Sequence, residues 1–174
     1  VLSGWTTPTS NMSAGAFALK GQSMSRVILG GQDTNGMLYG YTTAGALDNA
    51  FGTAGKFDTG AAVAIEDCSV DVDNNILVVY NNGSNSSVLK RVYQDGSAFD
   101  GTLPGTGTAI ANLSGNGLKV VEDNASHIIV AGATVNGFTL ARYDVADGTD
   151  NGTQVTVASG GTSTSHLTQL YTTS

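Results

Sequence analysis

An apolar stretch occurs three times along the chain, as Val27-Ile28-Leu29-Gly30-Gly31, Ile76-Leu77-Val78-Val79-Tyr80 and Ile128-Ile129-Val130-Ala131-Gly132, displaced by 49 and then 52 residues. A period in this range marks a repeat architecture, in which one supersecondary unit is copied and stacked because it cannot bury its apolar face alone. The repeats run over approximately 15–64, 65–115 and 116–160, within a single repeat domain spanning 1–174.

Four strand candidates align in each repeat. The first is Phe17-Ala18-Leu19, Ser69-Val70-Asp71-Val72 or Leu118-Lys119-Val120-Val121, followed by a polar turn rich in Asn, Asp, Gly and Ser. The second is the apolar stretch itself, whose unbroken hydrophobicity predicts burial on both faces. In the third, Leu38, Leu89 and Leu140 share one face with Gly40, Arg91 and Arg142, while Tyr41, Val92 and Tyr143 take the other. Each third strand runs into a turn, and the Asp95-Gly96 and Asp147-Gly148 pairs are strong hairpin signals. The fourth begins at Gly55, Gly107 or Gly152. No window holds a 3.6-residue apolar period, so the expected fold is all-β with essentially no helix: three repeats of four antiparallel strands, resembling β-propeller blades.

The repeated pattern resembles the bacterial delta-sixty repeat, a propeller-type repeat. Ile128 to Gly132 followed by Phe138-Thr139-Leu140-Ala141-Arg142-Tyr143 matches the first half of its hallmark, and Ala46-Leu47-Asp48-Asn49-Ala50-Phe51-Gly52-Thr53-Ala54-Gly55-Lys56-Phe57 matches the second. The middle copy keeps Arg91, Asp95-Gly96 and Asp100 but has Leu103-Pro104 where Phe-Gly would stand; the last has Thr149-Asp150-Asn151 in place of the Leu-Asp-x-x-Phe segment. The resemblance implies a fold over roughly residues 15–158 and brings no catalytic residues with it.

Propellers have about four to eight blades, so three repeats leave blade faces to be covered by association. Val1-Leu2-Ser3 reads as an outer strand left from a preceding repeat. His166-Leu167-Thr168-Gln169-Leu170-Tyr171 reads as the first strand of another. The partial repeats at 1–10 and 165–174, with Val1, Leu2, Leu167, Leu170 and Tyr171, are therefore the expected contact surfaces, toward a second copy or neighbouring repeats. The chain starts at Val1 without Met or a signal segment, as expected of a processed, cropped or partial chain.

Charged residues make up 12% of the chain and the net charge is −7, with Lys90-Arg91 the one adjacent basic pair. Nothing here neutralises a row of phosphates, which argues against nucleic acid as a partner. No apolar run reaches the roughly 18–20 residues of a membrane-spanning helix. Sparse charge with abundant Ser, Thr and Asn fits an extracellular or bacterial cell-surface location.

Chemistry-bearing residues are few. Asp67, Asp71 and Asp73 with two following asparagines form one oxygen-rich group, and Asp144, Asp147 and Asp150 with Asn151 another. Calcium takes six to eight oxygens from such groups, yet neither has the EF-hand spacing, and Asx residues in β-turns are the ordinary account. No cofactor is otherwise expected. His127 and His166 have no His or Cys at metal spacing, and no Gly-x-Ser-x-Gly nucleophile elbow exists. Cys68 has no partner for an intrachain disulfide and reads as a small core residue. Arg91 and Arg142 recur at one position and are expected to bridge repeats through a neighbouring carbonyl or carboxylate. Trp5 with Tyr39, Tyr41, Tyr93, Tyr143 and Tyr171 is expected to serve as core or cross-strand partners, the more usual role of aromatics in strands, with a sugar-binding face as the alternative. The expected function is non-enzymatic, structural or interaction-based, through assembly into a larger ring or filament; the alternative is a glycan- or protein-binding module.

Overall fold

The structure, a computed structural model, describes residues 14–22, 26–81, 87–101, 103, 108–110, 119–123, 127–134, 137–146 and 155–158. Over these the chain is all-β, without helix, in three antiparallel sheets. The first holds β1 (Ala14–Gln22), β2 (Arg26–Gln32), β3 (Gly36–Thr42) and β4 (Lys56–Asp58). The second holds β5 (Ile65–Val70), β6 (Ile76–Asn81), β7 (Ser87–Val92) and β8 (Thr108–Ile110). The third holds β9 (Lys119–Asp123), β10 (His127–Thr134), β11 (Gly137–Asp144) and β12 (Val155–Ala158). Each is a meander of three longer strands with a short strand of 3, 3 or 4 residues at its outer edge.

The sheets pack face to face, first on second and second on third, with β5 against β1 and β9 against β5. Among the described residues this is an open series of sheets and not a closed ring. Two apolar clusters fill the gaps. Between the first and second sheets lie Ile28, Leu38, Phe51 and Phe57 against Ile65, Cys68, Ile76, Val78 and Val92. Between the second and third lie Leu77, Val79, Leu89 and Leu103 against Val120, Ile128, Val130, Ala141 and Tyr143. Strand β6 therefore feeds both clusters, since alternate side chains point to opposite faces, and Ile76 through Val79 are fully buried. Burying such a side chain is worth about 1.5–3 kcal/mol, which places much of the stability in the middle sheet. In β2 and β10 the burial alternates, with Ile28 and Ile128 inside and Leu29 and Ile129 half-buried.

Equivalent turns follow the third strands. Gly45 and Gly96 have φ of +83° and +70°, conformations open to glycine, and each amide bonds the carbonyl three residues back, on Thr42 and Tyr93. The first strands differ from the sequence alignment. Val70 pairs with Ile76, and Glu122 pairs with Ile128, so Glu122 and not Lys119 corresponds to Val70. The turn chemistry sets this register. Asp71 accepts the Asn75 amide at 2.7 Å, and Asp123 accepts the His127 amide at 2.9 Å, the same bond across four residues. A slip of three residues would have exchanged the faces of the strand.

Candidate functional site

The polar residues that the fold gathers together sit at the two junctions between sheets. At the first, Arg26 at the start of β2 places Nε 2.7 Å from Asp48 and donates from Nη1 to the Gln94 carbonyl of the second repeat at 2.9 Å. At the second, Arg91 on β7 places Nε 2.7 Å from Asp100 and donates from Nη1 to the Val145 carbonyl of the third repeat at 3.2 Å. The parts are equivalent. Asp48 and Asp100 both donate their amides to the strand before, to Gly40 and Arg91. Gln94 and Val145 each follow a third strand by the same step, two residues beyond Val92 and Tyr143.

The guanidinium enters this latch from different strands. Arg91 occupies the position that Gly40 has in the first repeat, and Asn75 the position of Arg26. Phe51 explains the exchange. It is fully buried, and a Cβ at Gly40 would lie 2.7 Å from its Cβ and Cγ. The arginine therefore comes from β2, its guanidinium carbon 5.3 Å from the Phe51 ring centre. In the second repeat the smaller Leu103 stands where Phe51 does, and an arginine fits on β7.

Arg142, the third copy, is exposed and without an ion pair among the described residues. The two arginines singled out together thus have different settings, and Arg26, which completes the first junction, was not found from the sequence. A strand-position comparison hides it; the signal was an acid, Asp48, at the position of Asp100 with no basic residue on the third strand.

Two of the three calcium candidates of the second repeat, Asp67 and Asp71, are engaged within the fold. Asp67 accepts the Val120 amide of β9 at 3.0 Å and lies 3.7 Å from Lys119 Nζ. Asp71 accepts the amides of Asp73 and Asn75 and lies 3.8 Å from Arg91 Nη1. Asp73 is exposed. Burial outweighs these bonds at Asp71 and pushes its carboxyl above the ordinary range. In the third repeat Asp144 caps the Ala146 amide at 2.8 Å, and Asp147 and Asp150 lie outside the described residues. Among the described residues no three His, Cys, Asp or Glu side chains group as a metal site.

Glu122, on β9, joins the second junction. Its Oε2 accepts the Val72 amide at 2.6 Å, while Oε1 is buried without a hydrogen-bond partner among the described residues. His127 turns Nδ1 to Asp123 at 3.2 Å. Cys68 is fully buried in the first apolar cluster and forms no disulfide. Tyr39, Tyr41 and Tyr143 are buried at 0%, 3% and 1% exposure, in the core and not on a ligand-facing surface; Tyr93, at 42%, faces solvent. Trp5, His166, Val1, Leu2, Leu167, Leu170 and Tyr171 lie outside the described residues.

An open groove of about 640 Å³ crosses the rim of the first junction, lined by Met37, Lys56, Phe57 and Asp58 from one repeat and Gly96 and Ser97 from the next. Asp58 there is bonded to the Asn35 side-chain amide at 3.0 Å and the Gly60 amide at 2.7 Å. Among the described residues no helix is long and apolar enough to cross a membrane.

No family model matches the chain. No curated protein is significantly similar to it in sequence. Among solved structures it is similar to a protein of unknown function from Bacteroides caccae, with a TM-score of 0.54, 11% identity and 86% of this chain covered. The match takes in 48% of that protein, so this chain spans about half of its length. At that identity the likeness concerns the fold.

Proposed function

We propose that the chain is a non-enzymatic structural or interaction protein of propeller-like repeats, acting outside the cell at a bacterial surface and assembling into a larger ring or filament. The observation that carries this reading is the reiterated latch. Two junctions use an arginine, a carboxylate and the equivalent carbonyl of the following repeat, and Arg142 presents the arginine once more, exposed and without an ion pair among the described residues. Stacked repeats add nearest neighbours by such repeated contacts. The resemblance to the delta-sixty repeat and the low charge of the chain support the bacterial and extracellular parts of the proposal. A similar fold within a protein about twice as long supports the idea that this unit works alongside further repeats.

The groove at the first junction favours a second reading, a binding module for a glycan or protein segment, since it pairs an apolar floor with one cation and one anion. Native mass by light scattering over a concentration series separates the two. Assembly predicts a discrete multimer or a growing filament that Arg142→Ala weakens. A stable monomer at all concentrations contradicts it and brings the groove forward.

A further inference from the structure

The second junction buries more negative charge than it offsets. Asp71, Asp100 and Glu122 stand around Arg91, at 6%, 7% and 8% exposure. One guanidinium thus serves three carboxylates, and its shorter contacts go to Asp100 and the Val145 carbonyl. Among the described residues the other charges that act on Glu122, those of Asp71 and Asp73, are negative, and the basic groups of β9 and of the start of β10 are engaged elsewhere. Lys119 lies against Asp67, and His127 against Asp123. A buried carboxylate oxygen with no donor disfavours the ionised form, whereas a neutral carboxyl keeps the bond from the Val72 amide through its carbonyl oxygen.

We infer that the junction between the second and third repeats is closed by a proton held on Glu122, and that it loosens when that proton is lost. Burial raises the Glu122 carboxyl above its ordinary range; the Val72 amide and Arg91 oppose this, and the charges of Asp71 and Asp73 add to it. A group raised in the folded state stabilises fully below its ordinary pKa, and that stability is lost as pH rises through the folded value. The third repeat is therefore held most firmly in mild acid. The first junction responds the other way, because Arg26 holds the Asp48 carboxyl below its ordinary range and that contribution fades as acid protonates it.

The first junction also supplies a control within the molecule. Val70 stands on β5 where Glu122 stands on β9, so the first junction has no carboxyl at this position. Glu122→Gln keeps the shape without the charge, and Glu122→Val copies the first junction.

The test is the melting temperature of wild type and both variants from about pH 4, below the ordinary carboxyl value, to about pH 8.5. The wild type is expected to lose on the order of 3 °C relative to Glu122→Gln as pH rises across this window. Glu122→Val is expected to follow Glu122→Gln, and serves in its place should the carboxamide fail to fold. A difference between wild type and variants that does not change with pH overturns the inference. So does calcium at about millimolar concentration raising the wild-type melting temperature at the upper pH and not that of the variants, because the cluster is then a cation site.

Discussion

At the scale of single residues, the two junctions show how one steric demand relocates a charge. Phe51 fills the first apolar cluster between two glycines, Gly40 on its own repeat and Gly96 on the next. A Cβ at either would come within 2.7 Å of it. Gly96 is doubly required, since its φ of +70° already disfavours a side chain. Gly40→Ala is expected to destabilise the chain by about 1–3 kcal/mol through overpacking. Phe51→Leu, which copies the second repeat, should relieve part of that cost, so the two substitutions together should be milder than their sum. Urea denaturation of the wild type and the three variants measures this coupling, and simple additivity would show that Phe51 is not what excludes a side chain at Gly40.

At the scale of elements, the second and third strands were legible because their apolar residues alternate or run unbroken, and turn chemistry marked their ends. Ile76 to Val79 read as buried on both faces, as they are. The first strands were less legible for two physical reasons. Strand β5 carries a bulge between Ile65 and Asp67, which puts Ile65 and Cys68 on one face although they are three residues apart. Its inward residues also include Asp67 and Ser69, and those of β9 include Glu122, so hydrophobicity did not trace these strands. Of the acidic residues that suggested metal, Asp67, Asp71 and Asp144 accept backbone amides, information that no spacing carries. The bulge turns Asp67 toward β9, where it accepts the Val120 amide. Asp67→Ala should leave that buried amide without this acceptor and cost about 1–3 kcal/mol. Asp67→Asn, which retains an acceptor, should cost less; equal losses in urea denaturation would mean that Lys119 and not the amide is the partner that matters.

At the scale of the whole molecule, three similar sheets are held in series by two junctions of unequal burial. The Arg26 and Asp48 side chains are 13% and 21% exposed, and a pair that open contributes about 0–1 kcal/mol. Arg91 and Asp100 are 8% and 7% exposed, so removing Arg91 strands two buried carboxylates and should cost about 3–5 kcal/mol. In a molecule built of neighbouring repeats that loss stays local, because each unit contacts only the next. The central claim is that the arginine latch joins one repeat to its successor, and backbone amide exchange of the full chain tests it most directly. In Arg91→Ala, exchange should accelerate across β5–β7 and β9–β11, while β1–β3 keep their wild-type protection. Equal acceleration in all three sheets would contradict the account, since the chain would then unfold as one cooperative body with no separable junction.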